Sequence, residues 1–237
     1  MRNGRFNAGD VTTSSTGGGA IQTVWRIFVT DSTFENNSVV GNGSGGAIRA
    51  TSVLDIVRSE FIENTAVSEI ANSKGRGGAV YSSASTGITN TLFARNRADA
   101  GGAYYDDIFN IAVAAVTKST FTGNFATELG GAIWSRSRRL SVINSTLTEN
   151  SGSGGGAVYS QRNLNSAPNT RVSIEFSTIV NNTATSGSGG GGVLSAANSD
   201  GGMDFISSII GGNKGLDNSV SNCATIGGEA SVASIFS

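Results

Sequence analysis

Two short motifs recur along this chain in a fixed order, and they constrain its fold more than any other feature. The first is an apolar residue followed three places later by asparagine, with Ser or Thr two places before the apolar residue. Its seven copies end at Asn37, Asn64, Asn96, Asn124, Asn150, Asn182 and Asn213. The apolar residues, from Phe34 to Ile210, lie 26 to 32 residues apart. Such a spacing predicts a repeat architecture.

The second motif is Gly-Gly-Ala followed by an apolar or aromatic residue. Its copies begin at Gly18, Gly45, Gly77, Gly101, Gly130 and Gly155, and a variant is found at Gly191-Gly192-Val193. Side chains this small let neighbouring backbone segments approach closely. The stretches between the two motifs vary in length, which is typical of surface loops.

Apolar residues alternate ahead of the first motif, as at Leu54 and Ile56 or Leu140 and Val142. This two-residue period indicates a strand with one buried face, and many of these residues are β-branched, as strands prefer. Short strands, corners of constant length and loops of variable length together predict a solenoid. Each repeat would form one coil, and the coils would stack as parallel strands.

The recurring asparagine then has a structural role at a corner of each coil. Asparagine tolerates left-handed backbone geometry and hydrogen-bonds nearby backbone groups. In stacked coils, the seven asparagines would bond from coil to coil as a ladder. The Ser or Thr two places before each apolar residue would act similarly at a second bend.

The paired GGA[ILV] and FxxN motifs from Gly18 to Asn213 resemble the repeats of chlamydial polymorphic outer-membrane proteins and of bacterial right-handed parallel β-helix repeat proteins. The resemblance implies a secreted or surface-exposed, often adhesive, β-helix. We therefore expect an all-β, right-handed parallel β-helix of about seven to eight coils. It would form a single domain over 1–237, with a repeat core at 18–213 and a partial coil or cap at 214–237.

An aromatic column follows the glycine motif in four successive coils, at Tyr81, Tyr105, Trp134 and Tyr159, and it continues to Ser195. If the residues before them face inward, these four face outward and form a flat strip on the surface. Two interpretations remain open. The rings stabilise the sheet as a cross-strand ladder, or they bind a glycan or a protein partner.

Composition weakens the case for an enzyme. Hydrolases of this fold combine aspartates with a histidine, and the chain has no histidine. The adjacent Asp106 and Asp107 suggest acid–base work on glycosides, but we expect them to be hydrated loop carboxylates. We predict no catalytic residue, metal ion or cofactor. A polysaccharide lyase or hydrolase remains the alternative from another class.

Charge and hydropathy limit the partners. The net charge is −1, so the chain lacks the broad basic surface that nucleic-acid binding needs, and no nucleic-acid partner is expected. The small basic cluster at Arg136, Arg138 and Arg139 suggests a solvated bend or a site for acidic glycans. No apolar run is long enough to span a bilayer. The single cysteine, Cys223, is either free or paired outside this chain.

The sequence thus predicts a non-enzymatic structural or adhesive protein that is extracellular or at the cell surface. A glycan or the surface of a host or neighbouring cell is the expected partner. Solenoid ends expose strand edges, so three arrangements remain open. The chain continues in a longer protein, its tail folds back as a cap, or copies stack end to end into a filament.

Overall fold

The protein is a parallel β-solenoid with four sheets along its length, so the all-β prediction is confirmed. The computed structural model describes residues 5–7, 10–11, 17–70, 73–107, 113–161, 171–186, 189–196 and 202–225. Every regular element in these ranges is a strand, and none of them is a helix that could cross a bilayer. We number the sheets I to IV in the order in which a coil visits them.

In the described residues, each sheet takes at most one short strand from each coil. Sheet I contains eight strands, Ile21–Thr23, Ile48–Ala50, Val80–Ser82, Tyr104–Asp106, Ile133–Ser135, Val158–Gln161, Val193–Ala196 and Cys223–Thr225. Sheet II contains seven, Ile27–Thr30, Leu54–Val57, Thr86–Thr89, Val113–Thr117, Arg139–Ile143, Arg171–Glu175 and Gly202–Ile206. Sheet III contains eight, Arg5–Asn7, Thr33–Glu35, Glu60–Ile62, Leu92–Ala94, Thr120–Thr122, Thr146–Thr148, Thr178–Val180 and Ile209–Gly211. Sheet IV contains seven, Asp10–Val11, Ser38–Val40, Thr65–Val67, Arg97–Ala98, Phe125–Ala126, Ser151–Gly152 and Thr183–Ala184.

Neighbouring strands in all four sheets run parallel. In the described residues six coils carry a strand in every sheet, so the count is lower than the seven to eight expected. The reason lies after Asn213, where Lys214 makes only isolated bridges, to Thr183 and to Val220, and no strand of sheet IV follows among the described residues. Two strands before the repeat core were missed, Arg5–Asn7 and Asp10–Val11. Arg5–Asn7 pairs with Thr33–Glu35 and sets Phe6 beside Phe34.

The core lies between the sheets and is built from stacked columns of inward-facing residues. The anchors of the first motif form one column, in which Phe34, Phe61, Phe93 and Phe121 are fully buried. Their ring centroids lie 4.5 to 4.8 Å apart, and adjacent ring planes differ by no more than 8°. This separation matches the distance of about 4.8 Å between neighbouring strands. Identical residues at the same register therefore stack without adjustment of the backbone.

Three corners of the typical coil need left-handed backbone geometry, but the motif asparagine does not provide it. The residue before each asparagine does, as at Glu63, with φ of 55°, and Arg95, with φ of 53°. The residue before each motif Ser or Thr is left-handed in the same way, as at Arg58, with φ of 48°. The left-handed residue that we expected at the asparagine is therefore the residue before it. The asparagine side chain itself is buried between neighbouring coils.

There the seven asparagines form a continuous hydrogen-bonded column. The Oδ1 atom of Asn64 accepts bonds from both the main-chain nitrogen (3.0 Å) and Nδ2 (2.9 Å) of Asn37. Asn64 Nδ2 donates to Asn96 Oδ1 (3.0 Å) and to the carbonyl oxygen of Phe34 (3.0 Å). The same pattern continues through the last of these asparagines. Buried polar groups of the corner are satisfied in this way, coil after coil.

The glycine pair allows the third corner to form. Gly45 adopts a φ of 74°, which side chains disfavour. A Cβ atom on Gly46 would overlap the carbonyl oxygen of Gly78 in the next coil. The alanine that follows, such as Ala47, is fully buried against the core. Replacement of Gly46 would therefore push two coils apart, whereas a Cβ atom on Gly45 would overlap the carbonyl oxygen of Ile48 in its own corner.

Beyond Asn213 the chain turns back on itself. Lys214 and Val220 form an antiparallel bridge, and Asn222 Oδ1 accepts bonds from the nitrogen (3.3 Å) and Nδ2 (3.2 Å) of Asn213. A residue outside the repeat therefore extends the asparagine column by one position. Cys223 is a free thiol in the last strand of sheet I, and burial raises its pKa to about 11. Residues 226–237 of the expected partial coil or cap lie outside the described residues.

Candidate functional site

The aromatic column predicted from the sequence lies on the outer face of sheet I. Val80, Tyr104, Ile133 and Val158 point into the main core, and the residues after them belong to a separate apolar cluster outside it. We call Tyr81, Tyr105, Trp134 and Tyr159 the aromatic strip. These side chains lie outside the sheet because successive residues of a strand point to opposite faces.

The column continues to Leu194 and not to Ser195. Val193 pairs with Val158 and Leu194 pairs with Tyr159, so Gly192 occupies the position of Ala157. The variant motif therefore begins one residue earlier than predicted. A third glycine in place of the alanine made the alignment ambiguous in the sequence.

The rings of the aromatic strip stack on one another along the solenoid axis. The centroids of Tyr105 and Trp134 are 4.0 Å apart with ring planes 4° from parallel, and those of Tyr81 and Tyr105 are 5.7 Å apart. Trp134 and Tyr159 are tilted by 38° at 6.0 Å. Faces of neighbouring rings cover one another, and their edges point away from the sheet. Stacking therefore covers much of the ring faces within the strip.

The expectation of a solvent-exposed strip is corrected by the structure. The four residues are only 5 to 7% exposed. Ala100 and Leu129, from the loops between sheets IV and I, pack in the same cluster. Loops of variable length thus fold back over the outer face of sheet I. Ala100 and Leu129 each stand directly before a glycine pair, and parallel bridges join them to neighbouring coils. The residue type at this position varies from coil to coil, so the repeat pattern did not indicate their contribution.

Three arginines cover the aromatic strip, and we call them the arginine row. The guanidinium carbon of Arg49 lies 5.4 Å from the ring centroid of Tyr81. The corresponding distances are 5.5 Å from Arg76 to Tyr105 and 5.4 Å from Arg136 to Trp134. All three side chains are half-buried. Contacts of this kind attract a cation to the ring face and hold its orientation.

The three arginines of the row differ in whether a carboxylate neutralises their charge. Arg136 Nη1 donates to Asp107 Oδ1 at 2.9 Å. Among the residues that the structure describes, neither Arg49 nor Arg76 has a carboxylate within ion-pair distance. A basic cluster at Arg136 was expected from the sequence, whereas Arg49 and Arg76 were not. Their positions in the repeat could have indicated them, because Arg49 occupies the position of the aromatic column and Arg76 directly precedes a glycine pair.

Asp106 and Asp107 are not the hydrated loop carboxylates that we expected. Asp106 is fully buried on the inner side of sheet I, where it accepts a bond from Ser135 Oγ at 2.7 Å. Asp107 accepts a bond from the Tyr81 hydroxyl at 2.7 Å on the outer side. The two carboxylates therefore lie on opposite sides of the sheet and do not share a cleft. The described residues contain no group of three or more His, Cys, Asp or Glu that could hold a metal ion.

Burial keeps the tyrosines of the aromatic strip protonated. Desolvation raises the pKa of Tyr81, and the hydrogen bond to Asp107 raises it further. Desolvation is also the main cause of the raised pKa of Tyr105 and of Tyr159. The Tyr81 hydroxyl is thus a permanent donor that holds Asp107 beside Arg136.

A cavity lies near the turn after Asn213. This cavity of about 440 Å³ is lined by Ser186, Gly189, Gly215, Leu216, Asp217, Ser219, Ser221 and Ala224. Its single charged side chain, Asp217, accepts a bond from the main-chain nitrogen of Ser219 at 3.0 Å. Hydrogen bonds with Ser219 lower the pKa of Asp217, so the carboxylate is already stabilised within its own turn.

Two segments of the chain match the family model described as the Chlamydia polymorphic membrane protein repeat, at residues 31–51 and 118–136. Each segment contains one FxxN motif and the glycine motif that follows it. The chain is a parallel β-helix that resembles polymorphic membrane protein repeats. The second segment includes Trp134 and Arg136 of the candidate site. No curated protein and no solved structure matches the chain.

Proposed function

We propose that this protein is a non-enzymatic, surface-associated β-helix that acts as an adhesive module through the outer face of sheet I. The match to a membrane-protein repeat supports surface association. The placement of Asp106 and Asp107 on opposite sides of the sheet gives no support to glycoside hydrolysis by a facing pair of carboxylates. The proposal places the partner, a glycan or a cell-surface protein, outside the solenoid.

The arginine row is the observation that carries this proposal. Each of its side chains rests against a ring of a column that is itself stacked and buried, so little conformational freedom remains to be lost on binding. Preorganised groups of this kind bind with a smaller entropic cost than flexible surface side chains. The hydrogen-bonded columns between coils keep the spacing of the row constant.

Adhesion can be tested with beads that carry the folded protein. We expect these beads to be retained on cell surfaces or on immobilised glycans, whereas beads carrying albumin are not. Soluble protein should compete for retention. If folded protein on beads is retained by no cell type and no glycan surface, the adhesive function is rejected.

A second candidate, end-to-end stacking, is supported by apolar residues near both ends of the described solenoid. Trp25, which is 78% exposed, and Phe28 lie beside the first strands of sheets I and II. Ile206 and Ile209 are exposed in the last strands of sheets II and III. Electron microscopy at increasing protein concentration tests this candidate. Rods that lengthen with concentration support stacking, and short particles at every concentration reject it.

A further inference from the structure

We propose that the arginine row binds a linear acidic polysaccharide, with its guanidinium groups contacting successive carboxylate or sulfate groups. This inference rests on the proposed adhesive function and names the chemical class of the partner. A guanidinium fork matches the geometry of carboxylate, sulfate and phosphate groups and can form two parallel hydrogen bonds with one of them.

The distribution of counter-ions points to an anionic ligand. Three exposed arginines of the described chain already have carboxylate partners, in the pairs Arg26–Asp55, Arg58–Asp31 and Arg95–Glu63. Three half-buried arginines, Arg49, Arg76 and Arg138, have none among the described residues, and the first two belong to the arginine row. A partly desolvated cation without a counter-ion is costly. The positions with the greatest need for an anion are therefore those that the protein leaves unpaired.

The row is also continuous along the solenoid axis. Arg76 acts electrostatically on both Tyr81 and Tyr105, and Arg136 acts on both Tyr105 and Tyr159. Arg49 lies over Tyr81 at the preceding position. The three guanidinium groups thus lie over the rings of three successive coils. A linear polymer with an anionic group at regular intervals is complementary to such a row.

The stacked rings favour a polysaccharide over a nucleic acid. Single-stranded nucleic acids bind with their bases stacked on exposed aromatic faces, and here those faces cover one another. Duplexes require a broad basic surface, which a chain with a net charge of −1 and 14% charged residues does not supply. An acidic sugar polymer needs only the outward guanidinium groups.

Asp107 sets the strength of the site. It is bonded to Arg136 at 2.9 Å and so competes with any anionic ligand for that guanidinium. The substitution Asp107→Asn removes this competition and retains an oxygen that accepts the Tyr81 hydroxyl. We therefore expect D107N to bind the polymer more tightly than the unaltered protein.

The test compares binding of polygalacturonate, dextran sulfate, uncharged dextran and single-stranded DNA by biolayer interferometry at two ionic strengths. Polygalacturonate presents carboxylates and dextran sulfate presents sulfates, so these two ligands distinguish the anionic groups. We expect binding of at least one of them, weakened by salt, and none of uncharged dextran. Absence of binding to both, or tighter binding of DNA than of either, overturns the inference.

Matched double variants identify the site. R49Q/R76Q removes two charges from the arginine row, and R58Q/R95Q removes two exposed charges that already have partners. We expect the first to weaken binding by about a hundredfold, about tenfold for each lost charged contact, and the second by less than about threefold. Equal losses overturn the inference, because they indicate non-specific attraction. Should R49Q/R76Q fail to fold by circular dichroism, D107N decides, and unchanged or weaker binding by D107N rejects the site.

Cell adhesion separates this inference from the proposed function. Cells are treated with glycosidases that remove acidic polysaccharides and are then offered the protein-coated beads. Loss of retention supports the inference. Full retention on treated cells rejects the acidic ligand but leaves the adhesive function standing, whereas no retention on untreated cells rejects both.

Discussion

Substitution of Asn124 by alanine tests the claim that the asparagine column holds the coils together. Its Oδ1 atom accepts bonds from the main-chain nitrogen (2.9 Å) and Nδ2 (3.0 Å) of Asn96. Its own Nδ2 donates to Phe93 O at 3.0 Å and to Asn150 Oδ1 at 2.9 Å. The side chain is 1% exposed, so water cannot replace these partners unless the neighbouring coils move.

The expected loss follows from which groups remain unpaired. Asn96 Nδ2 keeps its bond to Phe61 O at 2.9 Å, and Asn150 Oδ1 keeps the main-chain nitrogen of residue 124 at 3.0 Å. The main-chain nitrogen of Asn96 loses its acceptor, and the carbonyl of Phe93 loses its side-chain donor. The free energy of unfolding should fall by about 1 to 3 kcal/mol for the buried nitrogen left unsatisfied and by about 1 kcal/mol more for the lost side-chain bond to Phe93, whose carbonyl keeps its donor in the neighbouring strand.

Urea denaturation followed by far-ultraviolet circular dichroism measures this change. Asn144→Gly is the matched control, because Asn144 is exposed at a left-handed corner with φ of 51° that glycine adopts freely. We expect the control to change the free energy of unfolding by no more than about 0.5 kcal/mol. If N124A is as stable as N144G, the asparagines are not structural connections and the argument for the ladder fails.

Three further outcomes are expected from the same structure. Gly102→Ala should destabilise the fold by about 1 to 3 kcal/mol or more, because its Cβ would overlap the carbonyl oxygen of Gly131. Gly211→Ala is the control, because a Cβ atom there meets nothing within 4 Å. Thermal denaturation should therefore show a lower melting temperature for the first variant than for the second. Trp134→Ala should cost about 3 to 5 kcal/mol and Trp25→Ala almost nothing in denaturant titrations, since Trp134 is 5% and Trp25 78% exposed; equal losses would contradict the buried strip. Cys223 has a pKa of about 11 in the folded protein, so little of it is thiolate at pH 8. It should react with iodoacetamide at that pH about a hundredfold more slowly in the folded protein than in urea. The difference in rate should shrink as the pH rises toward 11, because the folded thiol then ionises.

Much of the solenoid follows from local features of the sequence. The alternation at Leu54 and Ile56 predicts a one-sided strand, and those residues are fully buried as expected. The equal spacing within the FxxN motif predicts the stack of Phe34, Phe61 and Phe93, because parallel strands in register set identical residues beside one another. These features depend on few neighbours and need no knowledge of the loops.

The candidate site was less predictable because it depends on residues whose type varies from coil to coil and on contacts between different coils. The alternation within sheet I correctly places Tyr105 outside the sheet, but the burial of its ring comes from loop residues such as Ala100. Asp106 and Asp107 are adjacent in sequence, and only the pleat of the strand sends their side chains to opposite sides. Arg76 reaches the ring of Tyr105 in another coil, a contact that no motif encodes.

The sequence by itself determined the repeat, the parallel stacking and the residues of the phenylalanine and asparagine columns. Each of these depends on the period of the chain and on the fixed distance between strands. Only the tertiary structure decided that the aromatic strip is buried and that arginines cover it. These properties depend on where loops of unequal length return across the coils, and that is set by packing between residues far apart in the chain.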